Sequence, residues 1–250
     1  IYNPAFPRGC EARFAQINRI PDQVLQAFAP ALPERVVAGN SASVSAIAYS
    51  GFDTTRNQFW VTIEINEGAY GGRPGKDGVD AIDNLMANTA NNPIEEAELR
   101  ALMVCERYDL RDDAPAAGRW RGGLGAIKRW RFLAETGVGS TGDNRAADPP
   151  RGLFGGENGK PGVFTLDPGT PGEQILPAKI SNLTLPAGSV IELKLPCAAG
   201  HGSPGERDPD AVGRDVADGL VTEADARAVY AVACDAEGVV DTVATARLRR

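Results

Sequence analysis

A mixed α+β fold, rich in short antiparallel strands and closed by helices near its C-terminus, is predicted by three features of this 250-residue sequence. Phe59, Val61, Ile63 and Ile65 alternate with Trp60, Thr62, Glu64 and Asn66, a period of two that gathers the aliphatic set on one face of a strand. Between residues 126 and 195, short apolar runs are cut at intervals by glycine and proline, which suits a small antiparallel sheet or sandwich. Two helix-start signals follow: Pro209 behind Asp208, and Thr222 three residues before Asp225 as a capping box.

Taken in order, Pro4 and Pro7 fix an extended entry over residues 1–9. Phe14, Ile17, Val24, Leu25 and Phe28, with Asp22 behind Pro21, predict a helix starting near Ile20 and ending before Pro30. Small residues fill Gly39 to Ser45, a segment suited to packing against another backbone or lining a pocket. Residues 46–50 and 59–65 then form a hairpin across the polar turn GFDTTRNQ.

The alternation stops after Asn66, and the next stretch organises the chain. Gly68, Gly71, Gly72, Gly75 and Gly78, with Pro74, allow positive φ and close approach to a ligand or another backbone. Asp77, Asp80, Asp83, Asn84, Asn88, Asn91 and Asn92 crowd behind them, closed by Pro93. Spacings of three and four among Asp80, Asp83, Asn84 and Asn88 align these groups on one face if the segment is helical. Two readings stand: a solvated polar face, or a strand end that delivers a glycine loop and convergent polar groups into a pocket.

Beyond Pro93, Glu95, Glu96 and Glu98 open one helical turn in the sense that suits the helix dipole, and Met103 to Leu110 reads as a strand. Arg119 and Arg121 flank Trp120 in a glycine-rich run that fits either an anion-holding loop or a structural turn. No GxxxxGK[ST] motif occurs, so no nucleotide is assigned to it. Next, Ile127, Arg129 and Arg131 alternate with Lys128, Trp130 and Phe132. Near the end Val212 and Val216 share a helix face, Gly219 stops that helix, and residues 239–250 read as a last strand and basic tail. The pattern divides the chain into a helix plus strand-loop region at 1–125, carrying the glycine/Asp/Asn-rich loop, and a β-rich region with closing helices at 126–250, tightly associated rather than independent.

The 26 basic against 33 acidic residues give a net charge of -7, which argues against a nucleic-acid surface. No apolar run approaches a membrane span. Cys10, Cys105, Cys197 and Cys234 are scattered without a CxxC pair, which points to reduced thiols and a cytoplasmic setting. Cys197 and His201 stand four apart and suit a metal or a nucleophile and base pair; the glycine- and proline-rich context favours a turn whose lone histidine follows a buried thiol. The sequence opens at Ile1 with no signal peptide or initiator methionine, the expectation being a processed chain or a fragment.

The runs EGAYGGRPGKDGVDAIDNLMANTANNPIEEAE, AAGRWRGGLGAIKRWRF and GERDPDAVGRDVADGLVTEADARAVYAV, in this order, resemble the hydantoinase B / 5-oxoprolinase family, which is related to the acetone and acetophenone carboxylase subunits. The resemblance implies that the chain is the C-terminal half of a larger hydantoinase B-type fold. It also implies ATP-dependent hydrolysis of a cyclic amide, as in hydantoinases, oxoprolinases and lactamases, on a substrate phosphorylated by an ATP-binding A-type partner. ATP and Mg²⁺ would sit on that partner, and a divalent metal such as Zn or Mn mainly on the N-terminal half of the B-type protein, supplied as a separate chain. No metal ligand is assigned to the present residues. Candidate catalytic residues are Glu67, Asp77 and Asp80, which would orient water. Candidate substrate-binding residues are Gly72, Arg73 for an anionic group, and Asn84 and Asn88 for an amide edge. The chain departs from the family in having NEGAYGG for a GGGxGA loop, and Asp83 and Leu85 where many members carry histidines. Two alternatives remain: a component of an ATP-dependent ketone carboxylase, or a non-catalytic half that completes its partner's fold. The latter would tolerate loop changes and fail only when core positions such as Phe59 or Ile63 are altered.

Overall fold

The computed structural model describes residues 14–66, 68–83, 85–87, 89–140 and 145–250. It is a mixed α+β fold of two antiparallel sheets and a few short helices. Helix α1 (Phe14–Phe28) leads to β1 (Ser45–Asp53) and β2 (Gln58–Asn66), and α2 (Ile94–Arg100) to β3 (Met103–Leu110). Then come β4 (Ala126–Phe132), β5 (Thr136–Ser140), β6 (Val163–Leu166), β7 (Gln174–Leu176), β8 (Ile180–Leu185) and β9 (Val190–Lys194). Helices α3 (Pro209–Ala217), α4 (Glu223–Ala228) and α5 (Thr242–Leu248) close the chain.

The first sheet has the order β2-β1-β5-β8 and the second β3-β4-β9-β6-β7, so each takes strands from both sides of residue 125. Their inner faces share one core: Ile47, Tyr49, Trp60 and Val138 of the first meet Trp130, Phe132, Ile191 and Leu193 of the second. Tyr49 and Phe132 touch at 5.2 Å between ring centroids. A buried ion pair crosses the layers, with Lys128 Nζ 2.7 Å from Glu64 Oε1, while Trp130 Nε1 donates to Glu64 Oε2 at 2.7 Å. That geometry resolves the alternation of 127–132, with Lys128, Trp130 and Phe132 inward.

The β1–β2 hairpin forms as its sequence predicts, register Ser45↔Asn66 to Asp53↔Gln58. Asp53 Oδ1 fixes the turn by accepting from the Thr55 and Arg56 amides at 2.8 and 3.0 Å. Strand β3 spans the predicted residues, and a bulge between Cys105 and Arg107 shifts its register on β4.

Four local expectations change. Helix α1 starts at Phe14 and runs through Pro21, whose flanking Asn18 and Asp22 are buried; Asp22 Oδ1 accepts from the Asn40 amide at 2.9 Å and anchors the turn that Pro21 weakens. Phe59 and Ile63 are not core: β2 buries Trp60 and Asn66 and leaves Phe59 82%, Val61 69% and Ile63 61% exposed. The described residues of 78–93 form bends, bridges and turns rather than a helix face. The final segment is α5 instead of a strand, because Asp241 caps it by accepting from the Ala244 amide at 2.9 Å.

Candidate functional site

Behind the hairpin the chain abandons regular sheet. Extended stretches at residues 38–41, 68–72, 77–79, 116–125, 150–160 and 195–202 bond to one another in several directions. Ala38 N donates to Gly72 O, Gly72 N to Ala199 O and Ala199 N to Gly39 O, at 2.8, 2.9 and 2.9 Å, a ring of three segments. A second ring runs from Tyr70 N to Val79 O, Gly78 N to Arg121 O and Gly123 N to Tyr70 O, at 3.0, 2.7 and 3.0 Å.

Strands bonded in rings approach closer than side chains permit, which explains the glycines. A Cβ on Gly72 would lie 2.2 Å from Trp120 O, and one on Gly78 2.2 Å from Tyr70 O. At Gly122 and Gly156 it would meet Ala198 O and Gly200 O at 2.2 and 2.1 Å. The glycine loop therefore makes its close approach to the chain's own backbone. Gly39 to Ser45 opens in the same bundle, with Gly39 N on Arg151 O at 2.9 Å.

Arginine and aspartate lock this bundle to the C-terminal helices. Arg207 forks onto Asp77, Nη1 to Oδ1 at 2.6 Å and Nη2 to Oδ2 at 2.8 Å, and reaches Asp215 Oδ2 through Nε at 3.1 Å. Arg121 spans Asp215 Oδ1 at 3.3 Å and Asp80 Oδ1 at 3.1 Å. Backbone amides complete the shell: Arg121 N donates to Asp77 Oδ1 at 2.8 Å and Leu124 N to Asp80 Oδ1 at 2.7 Å. Burial pushes the Asp77 carboxyl up, but the hydrogen bonds and charge of Arg207, with the Arg121 amide, bring it below the ordinary carboxylate range. For Asp215 burial prevails over both arginines and its pKa is raised. Helix α3 brings Asp215 here on the inward face that carries Val212 and Val216.

The sequence candidates separate accordingly. Asp77 and Asp80 come together through the two arginines, with their side chains 36% and 27% exposed, so each keeps an edge toward solvent. Gly72 is a backbone contact. Arg73 lies apart at an exposed turn, where Arg73 N and Lys76 O, then Lys76 N and Arg73 O, bond at 3.0 and 2.9 Å around Gly75 at φ +84°. Arg73 and Lys76 make no ion pair among the described residues, and the Arg73 charge is felt by Tyr70. Glu67, Asn84 and Asn88 lie outside the described residues. Asp83 Oδ2 accepts from the Thr89 amide at 2.6 Å, a local turn contact.

Sequence reasoning missed Arg207 and Asp215. The available signal was a carboxylate three residues after Val212 on the apolar face of a capped helix, which demands a buried partner. Arg121, read as part of a loop, is that partner together with Arg207. Cys197 is buried, with burial raising its thiol pKa, and takes the Gly125 amide at 3.4 Å. His201 packs edgewise on Trp120 and Phe154, ring centroids 5.5 and 5.1 Å away. Burial lowers its pKa more than the Pro33 carbonyl and Glu34 raise it. No group of three or more His, Cys, Asp or Glu suited to a metal ion occurs among the described residues, and no described helix is long and apolar enough to cross a membrane.

Residues 1–204 match the family described as Hydantoinase B/oxoprolinase. The whole chain is 38% identical to the B-type component of a putative D-/L-hydantoinase from Pseudomonas sp. strain NS671, covering 42% of that protein. Over 74% of its length it is 28% identical to the acetophenone carboxylase delta subunit of Aromatoleum aromaticum, 32% of which is covered. The crystal structure of the ATP-dependent caprolactamase from Pseudomonas jessenii superposes with a TM-score of 0.73 at 28% identity, over 90% of this chain and 40% of that one. The chain thus spans about two-fifths of the length of the hydantoinase and caprolactamase relatives.

Proposed function

We propose, from the premise that the chain belongs to the hydantoinase B/oxoprolinase family, that it is part of the B-type component of an ATP-dependent cyclic-amide hydrolase. It would receive a substrate phosphorylated by an ATP-binding partner subunit. The observation that carries this reading is the 38% identity, over the full chain, to the B-type component of a putative hydantoinase. The chemistry is coherent, since phosphorylating an amide oxygen turns it into a leaving group and removes the resonance that protects a lactam carbonyl.

The described residues do not fit the divalent metal that the family implies. The only histidine, His201, packs against the rings of Trp120 and Phe154, and the clustered carboxylates Asp77, Asp80 and Asp215 are taken by Arg207 and Arg121. No step is therefore assigned to a metal on these residues; metal, ATP and Mg²⁺ fall to partner polypeptide. Within this chain, Arg73 is the group proposed to meet a carboxylate or phosphorylated oxygen, because it is exposed and free of ion pairs among the described residues. Asp77 and Asp80 are proposed as positioning residues that hold the loop behind it, each with a carboxylate edge left for a water. Glu67, Asn84 and Asn88 remain proposed partners from their place in the same loop.

The test is ATP turnover by the assembled enzyme with hydantoin, 5-oxoproline or caprolactam, without bicarbonate. Hydrolysis of one of these is expected, and Arg73→Ala should raise KM about tenfold or more, equivalent to about 1.4 kcal/mol of binding. The likeness to the acetophenone carboxylase delta subunit favours a second reading, a ketone carboxylase component. ATP turnover that demands both ketone and bicarbonate would establish that one instead. Unchanged kinetics in Arg73→Ala and in loop variants at Asn84 and Asn88 would leave the non-catalytic structural half.

A further inference from the structure

Two elements of this chain turn apolar rows to solvent. On α1, Asn18 and Asp22 face the protein and are buried, whereas Ile20, Val24 and Phe28, each four residues apart, are 44%, 47% and 53% exposed. The first sheet is apolar on both faces: its inner face joins the core, and its outer face is apolar as well. Its inner face takes Trp60, Tyr49 and the Glu64 ion pair, while its outer face places Phe59 beside Phe52, Val61 beside Ser50 and Ile63 beside Ala48. Gly137 and Gly139 of β5 stand opposite Ser50 and Ala48 and raise no side chain over this face. At the hairpin end it deepens into a groove of about 800 Å³ lined by Phe52, Phe59, Val61, Gly137 and Thr184. Strand β2 is also a sheet edge. An apolar row of this kind on a long edge strand is an interaction surface or a liability to aggregation.

We infer that the outer face of the β2-β1-β5-β8 sheet, together with the apolar stripe of α1, is the docking surface for the remainder of a hydantoinase B-type polypeptide, continuous with this chain or separate. The proposed function supplies the identity of that occupant; the surface itself stands on the geometry. Three observations select it. The relatives that align with the whole or nearly the whole chain are more than twice its length, so most of a B-type protein lies outside these residues. The outward residues at the centre of the face carry no charge, which suits an apolar protein layer better than a nucleic acid or an anionic surface. Both exposed apolar rows, on α1 and on the β1–β2 hairpin, lie within residues 14–66, whereas the buried faces of α3 and α4 form an apolar cluster of their own.

The test compares two preparations: the assembly purified from its natural source, with every polypeptide identified by mass, and the 250-residue chain alone. Hydroxyl-radical footprinting reads Phe59, Val61, Ile63, Val24 and Phe28 in each. Protection of about tenfold or more in an assembly containing hydantoinase B sequence beyond this chain is expected. The double variant Val61→Asp/Ile63→Asp should keep the melting temperature of the isolated chain yet lose at least tenfold in affinity for that polypeptide. If the polypeptide is present but these side chains are labelled as fast as in the isolated chain, and the variant binds normally, the surface is wrong while the proposed function stands. An assembly with neither hydantoinase B sequence nor an ATP-binding subunit overturns both. Self-association of the isolated chain that the variant abolishes, with no such polypeptide bound in the assembly, makes the occupant a second copy and also overturns the inference.

Discussion

Helix α1 with the β1–β2 hairpin, and the glycine bundle behind them, use their side chains in opposite ways. In the former, α1 and β2 point aliphatic and aromatic groups outward and bury Asn18, Asp22, Trp60 and Asn66. In the latter there is little apolar side chain to bury. Backbone packs on backbone around glycines, and Asp77 and Asp80 turn to Arg207 and Arg121. The difference separates two kinds of glycine- and charge-rich sequence that composition alone confuses. One region carries surface for something else to cover; the other is the scaffold that holds the chain together, and it should be intolerant of changes that the first region accepts.

The largest effect is expected where the bundle has no room. Gly156→Val would put a side chain 2.1 Å from the Gly200 carbonyl oxygen and 2.7 Å from the His201 amide nitrogen, main-chain atoms that cannot swing aside as the end of a side chain would. A loss of at least about 3 kcal/mol is expected, enough to leave little folded protein. Gly169→Ala is the control. With φ +76° and nothing within 4 Å of an added Cβ, it should cost about 1 kcal/mol from the left-handed backbone alone. Urea melts of both variants check the contrast, and equal losses would mean that the bundle is not close-packed.

Arg207→Ala comes next. It strands Asp77 and Asp215 without their shared partner, and removing one member of a buried network costs about 3–5 kcal/mol. Because Arg207 joins the bundle to α3, near-ultraviolet circular dichroism should report loosening around Tyr230, whose ring lies in the C-terminal cluster. A melt within about 1 kcal/mol of the parent would show that solvent replaces the clasp.

These two regions were unequally legible in the sequence. The hairpin, β3 and the caps at Asp208 and Thr222 were readable because period-two alternation and capping are local signals. The direction of the β2 face was not, since alternation gives two faces and says nothing about which one meets the core; the Glu64–Lys128 pair and Trp60 decided it. Gly68, Gly71, Gly72 and Gly78 signalled close approach correctly, but glycine looks the same whether it approaches a ligand or another segment. Which backbone it meets depends on residues up to 130 positions away, as with the Arg207–Asp77 fork. The capped helix α5 was lost because Val239, Val240 and Val243 read as a strand more readily than Asp241 read as a cap.

A smaller effect tests the polar face that α1 buries. Burial raises the Asp22 pKa more than the Asn40 hydrogen bonds lower it. A carboxyl raised on folding contributes stability that is fully present below its unfolded pKa and is lost as pH rises through the folded value. Urea melts of the parent should therefore contain a component that weakens as pH rises from about 3 toward neutrality. Asp22→Asn should lack that component, so the difference between the two profiles isolates it from Asp77, whose lowered pKa acts in the opposite sense and weakens the fold as pH falls. Parallel profiles would show that Asp22 is solvated and that α1 does not bury this face.

The smallest effect is the most discriminating for the comparison. Val24 lies in the exposed apolar stripe of α1, between Ile20 and Phe28. If that stripe belongs to an interface with other polypeptide, the isolated chain gains nothing from it, and Val24→Lys removes no packing. Lysine is a slightly better helix former than valine. The melting free energy of the isolated chain should then stay within about 0.5 kcal/mol of the parent. In the native assembly the same lysine would be driven into an apolar contact, where an unpaired charge is costly, and the affinity for the covering polypeptide should fall. A loss above about 1.5 kcal/mol in the isolated chain would instead place Val24 in this chain's own core and return α1 to the ordinary arrangement, apolar side in.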